Sequence, residues 1–424
     1  MVDENLPVVG GDARPLRYVF LDLNSYFASV EQQVDPTLRG KPVAVGPVST
    51  DSGTIIAASY EAKAYGVKTG TKVGDAKRMC PGLVFVDARH TLYTHYHDRV
   101  LEAVETVLPV DRVCSIDEMQ FKLLGSEAPR EVAVELARRL KAAVREHAGD
   151  WLSCSIGIAP NAFLAKLGTE LEKPDGLQVL EAKDLPQKLH SLKLTEFTGI
   201  NKRMAARLNA SGIFSAEQLC AAGRRELAEA FGSVVGERWW YLLRGYDLPS
   251  EQTKTKSLSH SHVLPPRLRT DQGCREVLLR LIQKASARLR ASGWCAGTMD
   301  VGVRGTRKSW KAHRRFSAVA DTVFFNERFL EMWAEREFEG PLAAWVVFSE
   351  LARPEAVTPS LFDGAVVRAQ LNTAVDGVNH RFGKNTVYLA GLHHAKDTAP
   401  ERIAFHKTEL FQEGAGDNEW DPEG

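Results

Sequence analysis

Two short, well-separated stretches constrain this chain more than any other feature: Leu21-Asp22-Leu23-Asn24-Ser25-Tyr26-Phe27 and Ser115-Ile116-Asp117-Glu118. The first follows the apolar run Tyr18-Val19-Phe20-Leu21 and opens a helix-like segment from Ser25 to Val34. The second sits between Val110-Asp111-Arg112-Val113 and Met119-Gln120-Phe121, the pattern of a strand pair. Each puts carboxylates at the end of a predicted strand. If the two strands are neighbours, Asp22, Asp117 and Glu118 converge, and three carboxylates in one place repel unless a cation holds them. Hard oxygen ligands suit magnesium, which also keeps waters and takes substrate phosphates. Two such ions can activate an attacking hydroxyl and stabilise a leaving pyrophosphate. Taken singly, each stretch reads equally well without chemistry, Asp22 as a helix cap and Asp117-Glu118 as a solvated turn.

Composition bounds the possibilities. The 424 residues are enough for two to four domains, and 44% hydrophobic with 25% charged residues is ordinary for a soluble globular chain. No apolar run is long enough to span a bilayer, and Met1 to Arg17 has neither the basic lead nor the apolar stretch of a signal peptide. The six cysteines are scattered without a Cys-x-x-Cys pair, which argues against zinc and fits reduced thiols in the cytoplasm. Net charge is formally zero, but its distribution is uneven. Residues 254–315 hold 15 Lys or Arg against only Asp271, Glu276 and Asp300, a one-sided block suited to gripping phosphates or, more plainly, a solvated basic face.

Along the chain, residues 41–45 and 54–58 read as strands, Tyr60 to Tyr65 as a helix ended by Gly66, and 73–79 as a second short helix. Apolar groups at Val100, Leu101, Val104 and Leu108, and at Ala133, Leu136, Ala137, Leu140 and Val144, mark two amphipathic helices, with a strand at Leu152 to Ile158. Residues 180–250 change to short helices. After a polar stretch, a helix carrying Leu278, Leu281, Ile282, Ala285 and Leu289 precedes strands at 298–304 and 310–317, a helix at 326–335 and a strand at 343–349.

The chain resembles the Y family of DNA polymerases, the translesion class that includes DNA polymerase IV and UmuC. The resemblance rests on 21–32, Gly40-Lys41-Pro42-Val43-Ala44-Val45, Tyr60 through Lys68, Ser115-Ile116-Asp117-Glu118, and Ser155-Ile156-Gly157-Ile158-Ala159 through Lys173-Pro174-Asp175-Gly176, in the family's order and spacing. It covers the first two-thirds well and thins afterwards. It implies an α+β right-hand polymerase. In that fold 16–27 and 90–180 form a ferredoxin-like palm, 28–89 small fingers, and 181–250 a helical thumb with a helix-hairpin-helix. Residues 251–258 become a linker and 259–395 an α/β little finger with a C-terminal extension. Residues 1–15 and the acidic tail, 396–424, are expected to be disordered.

By the same resemblance Asp22 and Asp117 bridge two Mg2+ ions, Glu118 binds the one near the primer, and the Leu23 carbonyl completes the other. Tyr60, Lys63 and Lys173 match the triphosphate contacts, with Lys63 where Arg is usual; lysine keeps the charge but loses the bidentate fork. Phe27 matches the ring against the sugar that leaves no room for a 2′-hydroxyl, although Tyr26 beside it could serve that role. Asn24 stands where the family often has a carboxylate, and no metal role is assigned to it. Thr198 through Leu208 resembles a helix-hairpin-helix, so Gly199, Asn201 and Lys202 are candidate DNA contacts; Asn201 replaces the second glycine and could keep its left-handed backbone. Arg304, Arg307, Lys308 and Lys311 are candidates from the basic block.

The expected function is low-fidelity, template-directed synthesis from dNTPs on primer-template DNA. The alternative is an inactive relative that binds DNA and the sliding clamp as an adaptor; such relatives lack the carboxylates, which are present here. A nucleotide cyclase would leave the hairpin and the basic block without purpose. Met119-Gln120-Phe121-Lys122 and Ala162 depart from the family pattern and mark a divergent branch. Thr358 through Asp363, with Leu361-Phe362 as anchors, weakly resembles a clamp-binding peptide and reads equally well as a loop. A UmuD-like accessory protein is a further partner the resemblance allows.

Overall fold

The computed structural model describes residues 14–51, 53–249, 255–357 and 365–399. The expected linker residues 251–254, the Leu361-Phe362 segment and most of both termini lie outside this set. The chain forms two compact units that divide between Ser250 and Glu251.

The first unit begins with strand β1 (Tyr18–Leu23) and helix α1 (Tyr26–Val34). A small layer follows: β2 (Val43–Gly46), β3 (Ala57–Ala58), α2 (Tyr60–Ala64), α3 (Val73–Met79) and β4 (Val84–Asp87). Its three strands pair in the order β3-β2-β4 around their own apolar cluster, which includes Ile55, Val67 and Val73. Then come α4 (His90–Glu105), β5 (Val110–Val113), β6 (Glu118–Lys122), α5 (Arg130–Ala143), β7 (Cys154–Ala159), α6 (Ala162–Leu171) and β8 (Leu177–Val179).

The main sheet runs β5-β6-β1-β7-β8, with β1 central and antiparallel to both neighbours. Its first four strands, with α4 and α5 as crossovers, have the split βαβ arrangement of a ferredoxin-like fold. Successive side chains of β1 point to opposite faces, and both faces are covered, so the strand is apolar except for Asp22. Val19, Leu21 and Leu23 face the core made with α4 and α5, while Phe20 faces the opposite core with Leu164 and Leu167 of α6. Asp22 therefore projects on the α6 side.

The unit closes with four short helices, α7 (Lys202–Ala210), α8 (Ala216–Ala221), α9 (Arg224–Phe231) and α10 (Val234–Leu243). Arg14 lies within the ordered fold, not in a disordered lead. Its guanidinium bonds the Arg244 carbonyl and stacks over Tyr246.

The second unit comprises β9 (Ser257–Val263), α11 (Asp271–Ala291), β10 (Cys295–Lys308), β11 (Trp310–Val319), α12 (Thr322–Trp333), β12 (Glu339–Ala352) and α13 (Ala365–Phe382). Ser257 and Leu258, expected in a linker, already belong to β9. The antiparallel sheet has the order β11-β10-β12-β9. One face, with Met299, Val301, Val346 and Phe348, packs on Val277, Leu281 and Ile282 of α11 and on Phe325 and Phe329 of α12.

Candidate catalytic site

The end of β1 and the start of β6 bring the two acidic stretches together. Asp22 pairs with Glu118 in the antiparallel register, and the Leu23 N–H donates to the Asp117 carbonyl at 2.9 Å. Asp22 is 6% exposed, a buried carboxylate that needs partners. It finds two. Lys173 Nζ lies 2.9 Å from its Oδ1, and Lys166 Nζ bonds its Oδ2. Lys166 also reaches Glu118 at 3.0 Å and Glu170 at 3.3 Å, and Lys173 reaches Glu170 at 2.8 Å. Burial opposes the charge on both lysines, but Asp22 and Glu170, with Glu118 for Lys166, outweigh it and raise both pKa values.

Asp117 has no ammonium partner of its own among the described residues and accepts from the Ser115 hydroxyl. Its pKa is pushed up to about 6. Burial is the main cause, the Ser115 bond opposes it, and the charges of Asp22 and Glu118 add to it. Such a carboxylate has an unmet demand for positive charge.

The turn after β1 is fixed by Asn24, which is buried. Its Nδ2 donates to the Ser155 hydroxyl at 3.0 Å, and its Oδ1 accepts from the Asp175 N–H at 2.8 Å. Asn24 thus ties β1 to the segment carrying Lys173, with no side-chain atom left for a metal. Ser25 follows at φ 50°, a left-handed position that costs a non-glycine residue roughly 1 kcal/mol or more. It swings the chain into α1. Close approach of glycines sets α6 on β7: a Cβ on Gly157 would lie 2.0 Å from the Ala165 carbonyl oxygen, and one on Gly168 would lie 3.1 Å from the Gly157 Cα. Lys166 thereby comes within reach of β1.

The other sequence candidates are distributed as follows. Tyr60 opens α2, and Lys63 one turn on places its ammonium 4.3 Å from the Tyr60 ring centroid. Lys63 is held below the usual lysine pKa, first by desolvation and then by the charge of Lys173, so the two ammonium groups sense each other. Phe27 stacks on Tyr93 at 4.5 Å between centroids. Tyr26 is buried deeper, with its hydroxyl bonded to the Tyr93 carbonyl at 2.6 Å, which fixes it as a core residue.

At the hairpin, Gly199 has φ +100°. Asn201 does not take the left-handed backbone expected for it. It is an extended N-cap (φ −81°) whose Oδ1 accepts from the Arg203 and Met204 N–H groups. Two donors expected for a phosphate are therefore already used, and those of Gly199 and Lys202 are the ones to consider. Together with Glu170 and Thr198, Gly199 and Asn201 line a groove of about 560 Å³.

In the second unit the basic block is not one surface. By register, Arg304 and Lys311 lie on the sheet face away from α11, together with His313 and Arg315. Lys308 pairs with Glu337, and Arg290, on α11, grips Asp376 at 2.6 and 2.8 Å. Arg307 is exposed.

Sequence reasoning missed Lys166 and Glu170. Their signal was available: Lys166 and Glu170 stand one turn apart on a mostly apolar helix, just before Lys173.

Residues 21–170 match the model of the impB/mucB/samB family, and residues 255–353 match that of its C-terminal domain. The DNA polymerase IV of Moorella thermoacetica is 33% identical over 379 residues, covering 87% of this chain and 94% of that protein. The DNA polymerase IV of Pelotomaculum thermopropionicum is 30% identical over 383 residues, 87% of this chain and 93% of that protein. This chain belongs to the Y family of DNA polymerases. A solved Y-family chimera of Dbh and Dpo4 has the same fold at a TM-score of 0.67 and 24% identity, over 80% of this chain and 99% of that one. A ternary complex of the Dbh polymerase is similar at a TM-score of 0.53, over 78% and 98%.

As the side chains stand, no group of three or more His, Cys, Asp or Glu among the described residues is arranged to hold a metal ion. Ammonium groups take both Asp22 oxygens. The donor set nevertheless fits divalent cations. It consists of hard carboxylate oxygens, one of them with a raised pKa, and a positive charge already stands between Asp22 and Glu118.

Proposed function

We propose that this Y-family member is a template-directed DNA polymerase that extends a primer with dNTPs at low fidelity and past template lesions. The observation that carries the reading is the pairing of Asp22 with Glu118 across β1 and β6, with Asp117 beside them and Lys173 and Lys63 alongside. Low fidelity and lesion bypass rest on family membership alone.

In this reading Asp22, Asp117, Glu118 and the Leu23 carbonyl hold two Mg2+ ions. When bound, such ions lower the pKa of the primer 3′-hydroxyl and neutralise charge on the departing pyrophosphate. The chain's own residues position the reactants, and positioning supplies most of the catalysis in phosphoryl transfer. Tyr60, Lys63 and Lys173 hold the triphosphate. Lys173 exchanges Asp22 and Glu170 for phosphate oxygens, and Asn24 keeps its segment in register. Phe27, backed by Tyr93, closes the space beside the sugar C2′ and rejects ribonucleotides. The sheet of the first unit with its crossovers is the palm, the β3-β2-β4 layer belongs to the fingers, and α7 to α10 form the thumb. Gly199, Asn201 and Lys202 lie against the DNA backbone, with Lys202 and the Gly199 N–H as phosphate donors. The exposed face of the second unit, with Arg304, Arg307 and Lys311, adds phosphate contacts, and Lys308 joins them by leaving Glu337.

The test is primer extension on an undamaged template and on one with an abasic site, with Mg2+ and each dNTP separately. The reading predicts template-directed incorporation on the undamaged strand and insertion opposite the abasic site. Incorporation that ignores the template base would overturn it.

A further inference from the structure

Lys166 has no assigned part in the reaction, yet it makes more contacts with the carboxylates than any other side chain at the site. Its ammonium spans Asp22 on β1, Glu118 on β6 and Glu170 on its own helix. The side chain is 13% exposed, and α6, from which it extends, is seated against β7 by the Gly157–Gly168 contact. A single positive charge bridging two carboxylates on adjacent strands meets the same electrostatic demand that a divalent ion would. Both cannot occupy that position. Lys166 also has somewhere to go. Glu170, one turn further along α6, is already 3.3 Å away and is more open to solvent at 32% exposure. Lys173 touches the same Glu170 oxygen, so that carboxylate can receive either lysine as it leaves Asp22.

We propose that Lys166 is a positioning residue that acts as a tethered counter-ion. It holds Asp22 and Glu118 together and neutralised, competes with divalent cations for them, and turns to Glu170 when a cation binds. This rests on the reading of Asp22, Asp117 and Glu118 as the cation-binding centre. Two consequences follow with opposite sign. Removing the Lys166 charge strengthens cation binding, because the competitor is gone. Removing the Glu170 charge weakens it, because Lys166 loses the acceptor that receives it.

The experiment is an Mn2+ titration of the full-length protein, with free Mn2+ read by electron paramagnetic resonance, for native, Lys166→Gln, Glu170→Gln and Asp117→Asn. Coupling between interacting binding events commonly changes affinity by roughly 5- to 150-fold. Lys166→Gln should bind Mn2+ about tenfold tighter than native, and Glu170→Gln more weakly. Equal or weaker binding by Lys166→Gln overturns the proposal. Asp117→Asn that binds as well as native would instead sink the carboxylate centre itself, which separates the two failures. If Lys166→Gln does not fold, the native protein decides. Reductive methylation of Lys166, followed by mass spectrometry, should rise at least about twofold on adding Mn2+, since the amine moves from buried carboxylates to a more open one. Unchanged or reduced labelling overturns the proposal.

Discussion

Asp22 and Glu118 stand opposite each other across two antiparallel strands, and one lysine ammonium touches both. The register that does this also buries Leu21 and Met119 in the core below. Because side chains alternate along a strand, slipping either strand by one residue would turn its own carboxylate into that core. Core packing and acid placement are therefore the same structural decision.

Phe27 packs on Tyr93, and the expected consequence is sugar selection. Phe27→Ala should raise incorporation of a ribonucleotide relative to its deoxy counterpart by at least about tenfold, the scale of discrimination a shaped apolar pocket provides. Competition between rNTP and dNTP at a single template base measures it. An unchanged ratio would remove Phe27 from this role.

Behind Tyr93 lies Glu31, 1% exposed, which accepts from the Tyr93 hydroxyl at 2.6 Å and pairs with Arg89. Arg89→Ala leaves the buried Glu31 carboxylate with only the Tyr93 hydroxyl and, because Arg89 itself is half-exposed, should destabilise the first unit by about 1–2 kcal/mol. Urea unfolding checks this. Arg89→Lys, which keeps a charge but not the fork, should fall between the two.

The raised Asp117 pKa has a definite sign. The folded protein holds this proton up to about 6, whereas the unfolded chain releases it near 3.8. Between these values the native state binds more protons, so the Asp117 contribution to stability falls as pH rises through the window. Asp117→Asn should flatten the pH dependence of the melting temperature there. Mn2+ affinity of the native protein should have the opposite trend, weakening as pH falls through about 6 because the cation must displace the proton.

His260, on β9, titrates the other way. Burial, and then Lys284, Arg288 and Arg280, hold its imidazole down to about 3. Folding requires it neutral, so its contribution is present above the ordinary value of 6.5 and is lost as pH falls toward 3. His260→Leu should make the second unit less sensitive to acid over that range, as measured by its melting temperature.

Much of this was legible in the sequence because it is written in local pattern. The apolar run of 18–21, the helix faces of 92–108 and 130–147 and the acidic residues at the strand ends are all local signals that can be read directly. Three things could not be read that way. The 54–58 run shrank to the two-residue strand Ala57–Ala58, because Thr54 and Ile55 turn to a different partner, bridging to Lys72 and bonding Thr71 instead of β2. Asn201 does not stand in for a glycine: its amide oxygen accepts from two helix N–H groups and makes it a cap, an alternative local pattern that does not distinguish itself until the helix start is known. The basic block looked continuous because charge was summed along the chain. The helix α11 and the sheet divide it between layers, and Arg290 and Lys308 spend their charge on Asp376 and Glu337.

Single-turnover incorporation of one correct dNTP by native protein and by Asp22→Asn tests the central claim most directly, with primer-template affinity measured in parallel. Removing a preorganised electrostatic contact of this kind costs about a hundredfold or more in rate. The account predicts at least that loss with DNA affinity unchanged. A variant that keeps the native rate, or a native protein that binds primer-template DNA without extending it, would contradict it.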